Sequence, residues 1–464
     1  MSLLLKIILP ICCLLTFPSL FAQSQTNPTG YLLDCGAGES SSAGVTVSGL
    51  RYVTDEGFTS AGNITKLKQN DLVPILSTLR YFPDTSARKF CYSIPVIKGG
   101  KYLVKTTYYY GGFDGGDKPP VFDQIVEGTK WGVVDTSEDY ANGLSSFYEI
   151  VVLAKANRLS VCVARNGETK SSPFMSALEV ENLDDSLYNA TDFANNALST
   201  VARCCFDDKF NRIWQPFKDL NPVVISHHKV NPLEFWNVPP EKAFKNAITT
   251  SRGKRLQIQW PQISVSTGDY YIALYFQDNR TPSPYSWRVF DVLINGNKFY
   301  ANLNVTTKGV TVYSTQWPLS GQTEIVLIPS NDMPVGPVIN AAEVLQILPL
   351  GGKTLSKDVV AMLDLGRQFN NPPSDWSGDP CLPKENSWTG VTSNLTALNH
   401  IWLGGNKLSG TIPEMWSLKD LRSLHLENNQ FEGPVPKSLS QLPHLSEIFL
   451  NNNKLDGQNS VTAQ

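Results

Sequence analysis

The sequence predicts a mainly β protein, with two tandem β-sandwiches followed by a short solenoid of repeats. Three observations carry that expectation. Gly (33), Pro (30) and aromatic residues (10%) are plentiful while charged residues are only 17%, a composition that favours strands and turns over disorder. Short β-rich runs punctuated by turn signals fill residues 31–349. A single motif then recurs every 23 to 24 residues near the C-terminus. The 464 residues correspond to roughly three domains.

Residues 1–22 hold one Lys, Lys6, then an apolar run ending at Ala22, the layout of a cleaved secretory signal peptide. The first sandwich is placed at 28–186. Its strands include 101–105, 149–153, 159–163 and 177–180, separated by Lys98-Gly99-Gly100, Gly111-Gly112 and Asn166-Gly167. The second is placed at 200–349, with strands at 270–276, 289–294 and 324–328 and a hairpin turn at Asn295-Gly296-Asn297. A helical junction occupies 350–395. Ser356 is expected to cap its helix, Asp358 to face the dipole, and Val359, Met362, Leu363 and Phe369 to share the inward face.

Residues 396–464 carry three repeats, the last incomplete: Leu398-x-x-Ile401-x-Leu403-x-x-Asn406, Leu421-x-x-Leu424-x-Leu426-x-x-Asn429 and Leu445-x-x-Ile448-x-Leu450-x-x-Asn453. This is the leucine-rich repeat. Each unit gives one short strand, the Asn residues bond the turns in a ladder, and the leucines share a core. The intervening positions face the concave side, so Trp402, Ser423, His425, Glu427, Glu447 and Phe449 form a candidate binding stripe.

With 39 basic and 42 acidic residues the net charge is −3, which argues against nucleic acid as the principal partner. Cys12 and Cys13 leave with the signal, and Cys35, Cys91, Cys162, Cys204, Cys205 and Cys381 remain as disulfide candidates of undetermined connectivity. Sequons at Asn63, Asn189, Asn279, Asn304 and Asn394 point to a secreted or cell-surface glycoprotein. Beyond the signal, no stretch is long enough and apolar enough to span a membrane. No catalytic motif is present; the pairs His227-His228 and Asp207-Asp208 suit loop and strand roles better than metal binding or glycosidase chemistry. No metal and no cofactor are expected.

Several motifs occur in a specific order: Leu33-Asp34-Cys35-Gly36, Leu79-Arg80-Tyr81-Phe82-Pro83, Tyr110-Gly111-Gly112-Phe113-Asp114-Gly115, Pro173-Phe174-Met175-Ser176, and Trp376-Ser377-Gly378-Asp379-Pro380-Cys381-Leu382-Pro383. Together with the Gly410-Thr411-Ile412-Pro413 repeat tail, the chain resembles the ectodomain of plant malectin-like, leucine-rich-repeat receptor-like proteins. That resemblance implies tandem malectin-like sandwiches and extracellular recognition of carbohydrate, secreted peptide or protein, without catalysis in this chain. It also implies a co-receptor kinase among the partners. On the first sandwich it implies a sugar site near Tyr109, Tyr110, Phe113, Asp114 and Trp131, where aromatic rings stack on sugar C–H faces and Asp accepts from hydroxyls. Filling of the sandwich core by alternate tyrosines is the competing reading. A secreted carbohydrate-active enzyme, or a soluble shortened form of a membrane receptor, are the alternatives. Relatives carry a second Cys soon after Trp388-Thr389-Gly390-Val391, and here it is absent. Cys381 is therefore expected to be unusually paired or unpaired, and the solenoid to be weak at both ends and cut by proteases first.

Overall fold

The computed structural model describes residues 30–38, 44–69, 71–203, 212, 214, 220–370, 372–394 and 397–456. The signal-peptide segment and Cys204 and Cys205 lie outside the described residues.

Two sandwiches form as expected, but they are joined through one sheet. In the first, Gly30–Asp34, Ala177–Leu183, Lys101–Tyr108 and Ser146–Leu153 pair antiparallel in that order. They face a four-stranded sheet of Phe90–Pro95, Arg158–Ala164, Phe122–Val126 and Thr129–Val134. Inward side chains of both layers, among them Leu33, Val104, Ile150, Phe90, Phe122 and Val161, make one core. In the second sandwich, Asn196–Arg203, Ala341–Pro349, Val265–Phe276 and Val310–Gly321 form one layer. Leu256–Gln259, Glu324–Pro329, Trp287–Ile294 and Asn297–Thr306 form the other. The turn at Asn295-Gly296 has positive φ at both residues, 48° and 75°, as a two-residue hairpin turn of this kind requires.

Ser146–Leu153 of the first sandwich pairs with Asn196–Arg203 of the second, through Ile150↔Ser199 and Val151↔Leu198. The result is a continuous ten-stranded sheet. A buried charge cluster locks this seam. Arg203, with a fully buried side chain, contacts Glu149 of the first sandwich and donates from Nε to Glu343 of the second at 3.0 Å. Glu343 also accepts from Tyr188 Oη (2.9 Å) and Tyr275 Oη (2.8 Å). Such a cluster is tolerable inside a protein only when its charges are paired and hydrogen-bonded.

The helix Ser356–Gln368 lies where the sequence placed it, with two corrections. Leu355 stands at the cap position and no side chain caps the helix. Asp358 turns inward, where its Oδ2 accepts from Leu398 N at 3.0 Å and burial pushes its carboxyl upward. The buried face is Met362, Leu365 and Phe369, while Leu363 is exposed. That face joins the repeat leucines in a single core. The Asn ladder forms as expected: Asn429 Nδ2 donates to Leu403 O (2.7 Å) and its Oδ1 accepts from Leu408 N (3.0 Å). Asn453 does the same one repeat on.

The start of the solenoid, expected to be open, carries a covering strand. Val391–Asn394 pairs antiparallel with Ala397–Trp402 and covers the first repeat strand. The junction then docks on the first sandwich. Lys89 Nζ, at the end of a buried side chain, donates to Asp379 O (2.5 Å) and Leu382 O (2.8 Å). Arg88 N donates to Asp375 Oδ2 (3.1 Å), Arg88 Nη1 to Ser387 Oγ (3.0 Å), and Ser374 Oγ to Asp84 Oδ2 (2.5 Å). Cys91 and Cys162 stand opposite each other in neighbouring strands and form a disulfide. Gly378, at φ +70°, packs on it, and a Cβ there would come within 2.8 Å of Cys91 Sγ. Cys35 and Cys381 are buried and lie outside this bridge.

Candidate ligand-recognition site

On the first sandwich, the strand Lys101–Tyr108 ends just before the candidate aromatic residues. Outside a strand the in–out alternation no longer holds, and both following tyrosines turn inward. Tyr109 is 7% and Tyr110 1% exposed. Tyr110 is boxed in by Phe113 (5.5 Å between ring centres), Tyr140 (5.1 Å) and Phe174 (6.1 Å), and its hydroxyl bonds to Asp114. Asp114 is exposed, but its Oδ1 also accepts from Gly116 N at 3.0 Å. Although burial opposes its charge, the hydrogen bonds from Tyr110 Oη and Gly116 N help hold its carboxyl below the usual range. Trp131 is buried elsewhere, at the seam, donating to Ser199 Oγ at 3.0 Å. As a correction, Tyr109, Tyr110 and Trp131 are packing residues. Their ring faces are taken by the core, which leaves half-buried Phe113 and exposed Asp114 at the surface.

The sequons also divide. Asn63, Asn189 and Asn304 are exposed. Asn279 is buried, its Oδ1 accepts from Arg288 Nη2 at 2.6 Å and its Nδ2 points to Ile225 O at 3.5 Å, an arrangement that does not favour a glycan there. The side chain of Asn394 lies outside the described residues.

On the solenoid the predicted stripe is brought together, with one correction: Ser423 is buried beneath the rings rather than facing solvent. In each repeat strand the leucines point inward, so alternate residues point to the opposite face. The strands are parallel and in register, which aligns His400↔Ser423↔Glu447 and Trp402↔His425↔Phe449 in two rows. The rings of the second row touch in sequence: Trp402 to His425 at 5.7 Å and His425 to Phe449 at 4.5 Å between centres. Trp402 remains 54% and Phe449 42% exposed. Ser423 Oγ anchors two rings, lying 2.9 Å from Trp402 Nε1 and 2.6 Å from His400 Nδ1. His425 stands between two carboxylates, 3.9 Å from Glu427 and 3.8 Å from Glu447. Glu427 reaches across to the neighbouring strand and covers Gly404, where a Cβ would overlap its carboxylate. Its Oε2 has no hydrogen-bond partner among the described residues. His400 belongs to this face and was missed from sequence, although the same every-second-residue rule that selects Trp402 reaches it; Gly404, in the turn past the strand, lies beyond that rule.

A second concavity lies on the second sandwich beside the inter-sandwich connection. It is a cleft of about 500 Å³ whose walls include Asp192, Asn196, Asp269, Gln316 and Gln346. Among the described residues no cluster suited to hold a metal ion is found, and no helix is long and apolar enough to cross a membrane.

The profile of the malectin-like domain matches residues 33–347, both sandwiches together. The chain belongs to the malectin-like domain family. A leucine-rich-repeat profile matches residues 420–442 of the solenoid that follows the malectin-like region. The chain is 29% identical over 447 residues to a "probable LRR receptor-like serine/threonine-protein kinase" of Arabidopsis thaliana, covering 92% of this chain and 48% of that protein. A second kinase of that description and organism is 28% identical over 511 residues, covering 94% of this chain and 52% of that protein. The chain thus spans about half the length of the curated relatives it matches. Among solved structures, the malectin-like fold matches the plant receptor-like kinase FER (TM-score 0.56, 17% identity, 68% of this chain and 96% of that one). It also matches the ANXUR1 extracellular domain of Arabidopsis thaliana (TM-score 0.56, 14% identity, 68% and 96%). FER in complex with the plant peptide RALF23 and LLG2 matches likewise (TM-score 0.57, 17% identity, 69% and 96%).

Proposed function

We propose that this chain is the extracellular recognition part of a receptor-like protein, that it takes a secreted peptide or protein ligand, and that it performs no chemistry on it. The observation that carries this reading is the exposed Trp402–His425–Phe449 row. Rigid aromatic side chains held on a strand scaffold lose little conformational entropy on binding and bury large areas. The kinship with receptor-like kinases and the fold likeness to a receptor solved with a secreted peptide support the same ligand class. They also support an extracellular setting and a second protein partner beside the peptide, which we take to be a co-receptor. The test is an array of synthetic secreted plant peptides probed with the secreted, glycosylated chain. A ligand whose binding drops at least about tenfold in the W402A/F449A double variant supports the reading. Binding unaffected by that variant, or no peptide bound, refutes it.

Carbohydrate is the second reading, and the cleft walled by Asp192, Asn196, Asp269, Gln316 and Gln346 favours it. Amides and carboxylates match sugar hydroxyls as donors and acceptors. A glycan array comparing the wild-type chain with D269A separates this site from the solenoid face.

A further inference from the structure

The solenoid face carries an unused pairing site beside its most exposed ring. Trp402 presents more than half its surface. Two residues on, in the turn just past the end of that strand, is Gly404, and the Glu427 carboxylate lies over it. Only glycine leaves that space. One carboxylate oxygen, Glu427 Oε1, faces His425 at 3.9 Å, too far for a hydrogen bond, while Oε2 is shielded from solvent and has no hydrogen-bond partner among the described residues. A second carboxylate, Glu447, borders the aromatic row on the far strand. The two rows and their continuation to Glu427 contain no Lys or Arg. The surface is thus aromatic and acidic together, with Trp402 more than half exposed and the Glu427 carboxylate not hydrogen-bonded to a neighbouring cation.

We propose that this face seats a cationic side chain of the ligand, an arginine above all, stacked on Trp402 and hydrogen-bonded to Glu427. The proposal rests on the recognition reading above and names the chemistry of the ligand's anchor. A planar guanidinium matches both halves of the site. It stacks on the indole, whose quadrupole attracts cations, while the N–H groups at its rim stay free to donate to a carboxylate oxygen. An ammonium fulfils only the charge requirement. Gly404 has a role in the same arrangement: any larger residue would push Glu427 away from the ring. The ligand class is therefore a secreted peptide or protein with an exposed arginine, and acidic or neutral segments are disfavoured.

The experiment uses the full secreted chain and a fluorescent twelve-residue peptide of repeated Gly-Ser-Arg, measured by anisotropy. The matched probes replace Arg by citrulline, which keeps shape and loses charge, or by Lys. The arginine peptide is expected to bind, the citrulline peptide at least about tenfold more weakly, and the lysine peptide in between. E427Q and W402L are each expected to weaken the arginine peptide about tenfold or more, while E432Q, on the other sheet of the solenoid, leaves it unchanged. Unaltered melting temperatures show that the variants fold. Equal binding of the arginine and citrulline peptides, insensitivity to E427Q, or no binding of the arginine peptide at about 1 mM overturns the proposal. If the arginine peptide fails while an array ligand still depends on Trp402 and Phe449, the cation seat falls and the recognition reading stands.

Discussion

Replacing Arg203 by Met tests whether the two sandwiches act as one body. Arg203 is the cation that touches acids of both units, Glu149 on Ser146–Leu153 and Glu343 on Ala341–Pro349, and all three side chains are essentially inaccessible. Its Nη2 also donates to Thr200 Oγ1 at 2.9 Å. Removing one member of a buried ion cluster leaves its partners desolvated and costs about 3–5 kcal/mol. Arg212 stays 3.5 Å from Glu343, so the lower end of that range is expected. For units of this size, about 3 kcal/mol lowers the melting temperature by roughly 6–12 °C. The backbone pairing at the seam runs through only Ile150↔Ser199 and Val151↔Leu198, too little to hold the units together unaided. Calorimetry of the full chain should therefore show the first two transitions separating in R203M, and R203K should fall between wild type and R203M because it keeps charge but loses the fork. A single transition within about 2 °C of wild type would sink the argument and leave the seam to apolar packing alone.

Three further outcomes follow from other sites. Burial, opposed by the 2.8 Å hydrogen bond from Thr78 and reinforced by Asp55, pushes the Asp34 carboxyl up to about 6. Because the folded value is raised, the stability it lends is present below about pH 4 and is lost as pH rises through 6. D34N should match wild type near pH 4 and exceed it by about 1.5–3 kcal/mol at pH 7.5, and urea melts at the two pH values with equal differences would contradict this. N429A removes the bonds to Leu403 O and Leu408 N and should cost about 2–4 kcal/mol, seen as faster hydrogen exchange across 397–456; unchanged exchange there would speak against the Asn ladder. G378A places a Cβ at positive φ against the Cys91–Cys162 bridge and should cost about 1–3 kcal/mol. Thermolysin should then cut the junction near 370–390 sooner than in wild type, and an identical digestion pattern would show the junction to be loosely seated.

What could be read from the sequence was local. The repeat spacing places Leu403, Leu426 and Leu450 inward and Trp402, His425 and Phe449 on one row because a strand's alternation is fixed by its own backbone. The turn at Asn295-Gly296 is legible because its positive φ values select those residues. What depends on distant partners was hidden. Helix position was right, but Leu363 was assigned inward and proved exposed, because the inward face is chosen by what Asp358 and Phe369 meet in the repeats. For Tyr109 and Tyr110 the sequence leaves a sugar site and core filling both open, and the core wins because the strand ends at Tyr108 and Phe174, more than sixty residues away, closes over the Tyr110 ring. Six cysteines left the bridge open, and it became evident only once the register set Cys91 opposite Cys162. The seam through Ser199 and the docking of Lys89 on the junction loop carry no sequence signature, since each joins residues with no periodic relation.

The return of the junction to the first sandwich has a mechanical consequence. The second sandwich is a detour in the chain. It leaves the first through Asn196–Arg203 and comes back within thirty residues of Pro349, where Ser374, Asp375 and Asp379 meet Asp84, Arg88 and Lys89. A pull on the solenoid from its C-terminal side is passed by shear of this contact set, backed by the Cys91–Cys162 staple, straight into the first sandwich. The second sandwich is spared the tension until the contact set yields. When it does, the seam still holds the second sandwich to the first and the tether to the solenoid lengthens by the released junction at once, so a steady load would be met by stiffness and an overload by sudden slack.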